Sequence, residues 1–228
     1  MGIEMTRGVV YVAIGAGYLA EAVRSVRSLK KHNDLPATLL TDQTGGHEDF
    51  DTVIEVRDVE NPHLVKVGAM LSMPYARTLF LDTDTRVLAP IDELFQVLDH
   101  FDLAAVPDNY LSKLDGVPIS LPPINSGVVA FRRCDVVELL LMRWMGKVRA
   151  SGRHCDQDAL RAVLWDSPVR LCPLPNSYNL RSDYVTQTKA KVKIIHGRRR
   201  DLDAVAGGIN ADFGLRIWRP DLMEVRRA

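Results

Sequence analysis

The chain has 228 residues, 46% of them hydrophobic, which is enough to build one well-packed domain. Its 29 Lys and Arg balance 29 Asp and Glu, so it lacks the basic excess with which proteins hold nucleic-acid phosphates, and no nucleic-acid partner is expected. Three cysteines (Cys134, Cys155, Cys172) are too few and too widely spaced for a disulfide framework or a four-cysteine zinc site, and read as small buried hydrophobes.

Apolar runs alternate with segments of helical period along the chain. The β-branched run at 9–14 (VVYVAI) ends at Gly15 and predicts a first buried strand. Leu19, Ala22, Val23, Val26 and Leu29 then fall on one face of a helix over 18–32. Strands follow at 37–42 and 52–56, a helix at 64–71, and a strand running into a turn over 77–88. Residues 91–101 read as a helix, 102–108 as a strand, and 109–123 as a surface loop with two proline-bounded turns. The strand at 127–132, helices at 136–148 and 157–164, and late strands at 169–174 and 191–196 complete the pattern.

Strands separated by helices imply a single α/β domain with a Rossmann-like, mostly parallel central sheet and helices on both faces. In such sheets ligands bind beyond the carboxyl ends of the strands. The only apolar stretch near the N-terminus, 9–14, is far too short to cross a membrane, and no signal peptide is recognisable, so a cytoplasmic protein is expected.

Asp82-Thr83-Asp84 directly follows the apolar run at 78–81. Carboxylates enclosed there without partners would be costly. In an extended segment, side chains two apart point the same way, with Cα atoms about 6.5–7 Å apart. Asp82 and Asp84 can therefore converge on one hard divalent cation, Mg²⁺ or Mn²⁺, able to neutralise a leaving diphosphate. The competing reading is a solvated strand-end turn, which a lone D-x-D does not exclude.

Gly15-Ala16-Gly17-Tyr18-Leu19-Ala20 fits G-x-G-x-x-A between a strand and a helix, with Asp42 ending the second strand. Taken alone, this segment suggests an NAD- or S-adenosylmethionine-binding enzyme; a tight turn needing positive φ is the plainer alternative.

The block K-x8-Y-x-R-T-L-F-L-D-T-D-T-x-V-L-x-P-I-D-E-L-F, from Lys66 to Phe95, resembles the family 8 glycosyltransferases of the GT-A class. Further segments resemble that family as well: Asn125-Ser126-Gly127, Asp156-Gln157-Asp158, Tyr178-Asn179 and His196. The resemblance implies a metal-dependent hexosyltransferase acting on a UDP-sugar, with retention of configuration. It implies Asp82, Asp84 and His196 as ligands to Mn²⁺ (or Mg²⁺), and Lys66 at the phosphates. Val12, Ile14, Gly15 and Tyr18 would hold uridine, and Thr83 would contact the donor. Asn125 and Ser126 would line the sugar pocket. Asp156 would contact donor hydroxyls, besides capping its helix. Gln157 would face the anomeric carbon opposite the leaving group. Tyr178-Asn179 reads as mostly structural.

The family continues H-x-x-G-x-x-K-P-W, whereas this chain has His196-Gly197-Arg198-Arg199-Arg200. Arg198 or a neighbour is expected to replace the missing lysine, since guanidinium binds phosphate in bidentate fashion. On this reading residues 1–108 form a nucleotide-binding half, and 109–228 supply the sugar and acceptor side plus a C-terminal segment. Trp218 in that segment reads by default as core packing, with a cover over the site or a dimer contact as alternatives. The acceptor, a glycan, lipid or protein hydroxyl, is not legible. A non-catalytic sugar-nucleotide-binding protein stays open because K-P-W is missing. A sugar nucleotidyltransferase would need a Gly-rich loop of T-R-L type after the first strand, which is absent.

Overall fold

A computed structural model describes residues 6–73, 75–108, 112–151 and 156–211, together with the backbone of 216–218. Cys155 and the side chain of Trp218 lie outside the described residues. In chain order the strands are β1 (Arg7–Ala13), β2 (Ala37–Thr41), β3 (Thr52–Glu55), β4 (Arg77–Leu81), β5 (Thr85–Val87) and β6 (Leu103–Pro107). They continue as β7 (Ile124–Arg132), β8 (Leu171–Pro173), β9 (Leu180–Arg181), β10 (Thr186–Thr188), β11 (Ile194–His196) and β12 (Arg216–Trp218). The helices are α1 (Ala16–Lys30), α2 (Pro62–Ser72), α3 (Glu93–Gln96), α4 (Asp135–Ser151), α5 (Asp156–Trp165) and α6 (Leu202–Gly208).

Seven strands form the central sheet in the order β3-β2-β1-β4-β7-β6-β8. Every neighbouring pair is parallel except those made by β7, which runs against both β4 and β6. Alternation along β1 divides the core. Val9, Tyr11 and Ala13 pack with Leu19, Ala22, Val26 and Leu29 of α1 on one face. Val10 packs on the other with Val67 and Met70 of α2, Leu140, Leu141 and Trp144 of α4, and Leu160 of α5. Each of the Val, Leu and Met side chains among them, fully buried, contributes up to about 1.5–3 kcal/mol. Helices on both faces bear out the α/β expectation, and among the described residues no helix is long and apolar enough to cross a membrane.

Local sequence explains the element ends that matter. Asn61 caps α2 by accepting the His63 N–H at 2.9 Å, with Pro62 in the first turn where its missing donor costs nothing. Gly15 turns the chain from β1 into α1 at φ 94°, a conformation glycine adopts freely, and its N–H is taken by Asp42 Oδ1 at 2.7 Å. Gly17, by contrast, lies inside α1.

Residues 77–88 are a strand running into a turn, as expected, with the turn at 83–84, but three other expectations change. Beyond the turn, β5 leaves the main sheet to pair with β11 in a small β5-β11-β9 sheet. The late strand at 191–196 therefore belongs to that small sheet. The helix over 91–101 is only α3 followed by a 3₁₀ turn at Val97–Asp99. Finally, β7 begins at Ile124, opposite Pro107, so Asn125 and Ser126 are strand residues despite their polarity.

Candidate active site

Antiparallel β7 gives the site its geometry. Its N-terminal residues arrive at the same sheet edge as the carboxyl ends of the parallel strands β4 and β6, with Val128 opposite Leu81 and Ile124 opposite Pro107. Asp82, Asp108 and the Asn125-Ser126-Gly127 segment therefore meet. The start of α5, the first turns of α2 and the small sheet close around them, leaving a cavity of about 740 Å³.

Asp82, Asp84 and His196 each offer a ligand atom within 4.8 Å of the others, so this trio can hold a metal ion. The turn at 83–84, rather than an extended run, lets the two carboxylates converge. His196 Nε2 lies 3.3 Å from Asp84 Oδ1 and 3.8 Å from Asp82 Oδ2. Its Nδ1 lies 2.9 Å from Asn179 Oδ1, while Asn179 Nδ2 donates to Asn125 Oδ1 at 2.7 Å. With its amide so oriented, Asn179 accepts from Nδ1–H and leaves Nε2 facing the carboxylates, the ring nitrogen that a metal ion would take in place of a proton. Burial, which would raise the Asp84 pKa, is outweighed by His196 and Arg198, and the carboxyl is held well below the usual range. A β-carbon on Gly127 would fall 2.3 Å from His196 Cε1 and 2.6 Å from Asp82 Oδ2, so only glycine leaves room for the pair.

Lys66, buried on α2, ties the trio to α5. Its ammonium lies 3.1 Å from both Asp82 Oδ1 and Asp156 Oδ2 and donates to Ser126 Oγ at 2.9 Å. Ser126 in turn donates to Asp156 at 2.8 Å. Burial would lower the Lys66 pKa, but Asp156 and Asp82 raise it above the ordinary value. Burial would raise that of Asp156, but Lys66, His63 and Ser126 lower it. The Asp156 carboxylate is thus turned into the cavity, with Lys66 and Ser126 on it.

An amide network lines the other side. Gln157 Oε1 accepts from Asn125 Nδ2 at 2.9 Å and from the Ser126 N–H at 3.2 Å. Asp108 Oδ2 accepts from Asn125 Nδ2 at 2.8 Å and Gln157 Nε2 at 3.3 Å, and lies 3.5 Å from Arg181 Nη1. Asn125 is therefore engaged at both ends by protein groups. Arg198 sits over the Tyr18 ring at 4.8 Å, with Glu21 at 3.4 Å and Asp84 at 3.9 Å.

Of the residues expected from sequence, Val12, Ile14, Tyr18, Lys66, Asp82, Thr83, Asp84, Asn125, Ser126, Asp156, Gln157, His196 and Arg198 all line this one cavity. Gly15 does not; it forms the turn beneath Asp42. The Thr83 hydroxyl is committed to Glu21 at 2.7 Å. Sequence reading passed over Asp108, His63, Arg181 and Tyr184, which also line the cavity, and took Asn179 as mostly structural. Asp108 carried a usable signal, since it ends an apolar strand just as Asp82 does. Asn179, Arg181 and Tyr184 sit in a segment with no periodicity.

No protein-family model matches the chain, and no curated protein matches it in sequence. Solved structures do. The apo form of the glycosyltransferase GlyE of Streptococcus pneumoniae TIGR4 aligns at a TM-score of 0.64 and 19% identity, over 86% of this chain and 55% of its own. An active-site glutamine-to-glutamate mutant of LgtC aligns at 0.58 and 15%, over 84% and 87%. Mouse xyloside xylosyltransferase 1 aligns at 0.57 and 17%, over 85% and 98%. The chain spans about half the length of GlyE. It has the GT-A fold that these glycosyltransferases share.

Proposed function

We propose that this chain is a metal-dependent glycosyltransferase of the family 8 type that moves a hexose from a UDP-sugar to an acceptor hydroxyl, with retention of configuration. The observation that carries the reading is the convergence of Asp82, Asp84 and His196 at the carboxyl edge of the sheet, with His196 Nδ1 held by Asn179. Among solved structures of the same fold, the LgtC mutant alters an active-site glutamine. Gln157 is the glutamine lining the cavity here.

In this proposal Asp82, Asp84 and His196 hold Mn²⁺ or Mg²⁺, which supplies charge neutralisation of the diphosphate when bound. Lys66 and Arg198 add fixed positive charge on the leaving side, and such preorganised electrostatics is the main source of rate. Arg198 exchanges its contact with the Tyr18 ring for the diphosphate, freeing that ring for the base. Val12 and Ile14 flank the base. Asp156, Ser126 and Asn125 shape the sugar pocket. Gln157, held by Asn125 and Asp108, presents its polar face at the anomeric carbon. Residues 1–108 supply the nucleotide side and 109–228 the sugar and acceptor side.

The test compares Mn²⁺-dependent hydrolysis of UDP-glucose and UDP-galactose by the wild type and by Asp84→Ala. A fall of about 100-fold or more is expected, since the ion's contribution is worth several kcal/mol. Equal rates would remove the metal from the mechanism. A second reading, a sugar-nucleotide-binding protein without turnover, draws on the absent K-P-W motif. It predicts UDP binding with Mn²⁺ and no hydrolysis in the wild type.

A further inference from the structure

Helix α5 brings more than Asp156 and Gln157 to the site. Asp158 and Arg161 lie three residues apart on it, and Gln157 and Arg161 four, so all three share a side of the helix. Arg161 has no exposed surface. A guanidinium so enclosed is tolerated only when its N–H groups are answered. Here the answers come from one loop. Nε donates to the Leu121 carbonyl at 2.9 Å, Nη1 to the Ser112 carbonyl at 2.6 Å and its hydroxyl at 3.3 Å, and Nη2 to the Pro118 carbonyl at 3.2 Å. Ser112 also donates to Asp158 Oδ1 at 2.6 Å.

The same loop begins and ends in the cavity. Its base is closed by the Asp108 N–H on the Pro123 carbonyl at 2.8 Å. Asp108 and Asn125, on either side of that closure, are bonded to each other and to Gln157. Helix α5 therefore grips the loop twice, at its base through Gln157 and along its body through Asp158 and Arg161.

We infer that Arg161 is a positioning residue: its buried guanidinium clamps residues 112–121 onto α5 and so fixes Asp108 and Asn125 against Gln157 in the sugar pocket. The clamp rests on geometry alone, and its effect on turnover rests on the donor reading above. Arg161 is buried and does not line the cavity. Misplacing reacting groups by about 1 Å costs on the order of 100-fold in rate, so a loosened loop is felt at the site without loss of nucleotide binding.

Arg161→Lys keeps the charge but replaces the planar fork by one ammonium, which cannot reach the Ser112, Pro118 and Leu121 carbonyls together. Two readouts are taken. Trypsin cleavage after Lys113, inside the loop, reports release of the clamp. Hydrolysis of UDP-glucose and UDP-galactose, normalised to sites that bind UDP with Mn²⁺ by calorimetry, reports positioning. The expected result is cleavage and per-site kcat each changed about tenfold, faster and slower respectively, with KM and UDP affinity within about twofold. Ser112→Ala, which removes only the hydroxyl contacts, should move both readouts the same way by about threefold. It decides the matter if the lysine variant fails to bind UDP. Lys113 protected in folded variants, or cleaved with per-site turnover unchanged, overturns the inference. A wild type that neither binds nor hydrolyses the donors sinks the donor reading and the effect on turnover with it, while proteolysis still decides the clamp.

Discussion

The two ends of β6 carry the same side chain in opposite circumstances. At its start, Asp102 accepts the Nε and Nη2 of both Arg132 and Arg170, and the Arg170 backbone N–H as well. One buried carboxylate faces two guanidinium groups, and hydrogen bonds from Arg170, then Arg132, hold its pKa far below the usual range. At the other end, Asp108 joins Asp82, Asp84 and Asp156 around a cavity whose Lys and Arg cations are Lys66, Arg181 and Arg198. Amide groups and the imidazoles of His63 and His196 complete the lining there. The amino edge of the strand is closed by surplus positive charge, whereas the carboxyl edge gathers four carboxylates against three Lys and Arg cations inside a concave space. The first arrangement is a cross-link; the second is the one proposed above to hold a cation and its anionic ligand.

Changes at the carboxyl edge should harm function more than folding, and changes at Asp102 the reverse. The largest effect is expected from Gly127→Ala, whose new methyl displaces His196 or Asp82. Mn²⁺-dependent donor hydrolysis should fall about 100-fold while the melting temperature stays within a few degrees. An unchanged rate would show that the trio need not converge. Asp102→Ala should cost about 2 kcal/mol in urea unfolding, discounted because both arginines are half-exposed, with UDP and Mn²⁺ binding intact. If binding fell instead, the two edges would not be separable.

Asn179→Ala frees the His196 ring to rotate and should weaken Mn²⁺ affinity about tenfold, measured by titration, with little change in stability. The smallest effect concerns pH. Asp102 and Asp156 have folded pKa values below their unfolded ones, so their stabilisation is complete above the unfolded value of about 3.9 and is lost as pH falls through the folded values. Lys66 is raised, so its contribution is complete below about 10.4 and lost as pH rises through its folded value. Stability from these groups should be flat between about pH 5 and 9, and the acid decline shallower in Asp102→Ala than in the wild type. Parallel acid limbs would contradict the assignment to Asp102.

The alternation of Val9, Val10 and Tyr11, the helical spacing of Leu19 to Leu29 and the apolar run before Asp82 were enough to read an α/β domain and the sheet edge that bears chemistry. Burial drives those features, and burial leaves a period in the chain. The D-x-D pair was legible because it follows such an apolar segment, whereas Lys66 and His196 were singled out only by the family resemblance; all of them reach the cavity. What tertiary structure alone decided was which polar residues meet. The reversal of β7 places Asn125 beside Asp108, the turn at 83–84 sends β5 to a second sheet with His196, and Asn179 arrives from a segment without pattern. Hydrogen bonds between residues tens of positions apart depend on distance and direction in space, and neither leaves a spacing in the sequence.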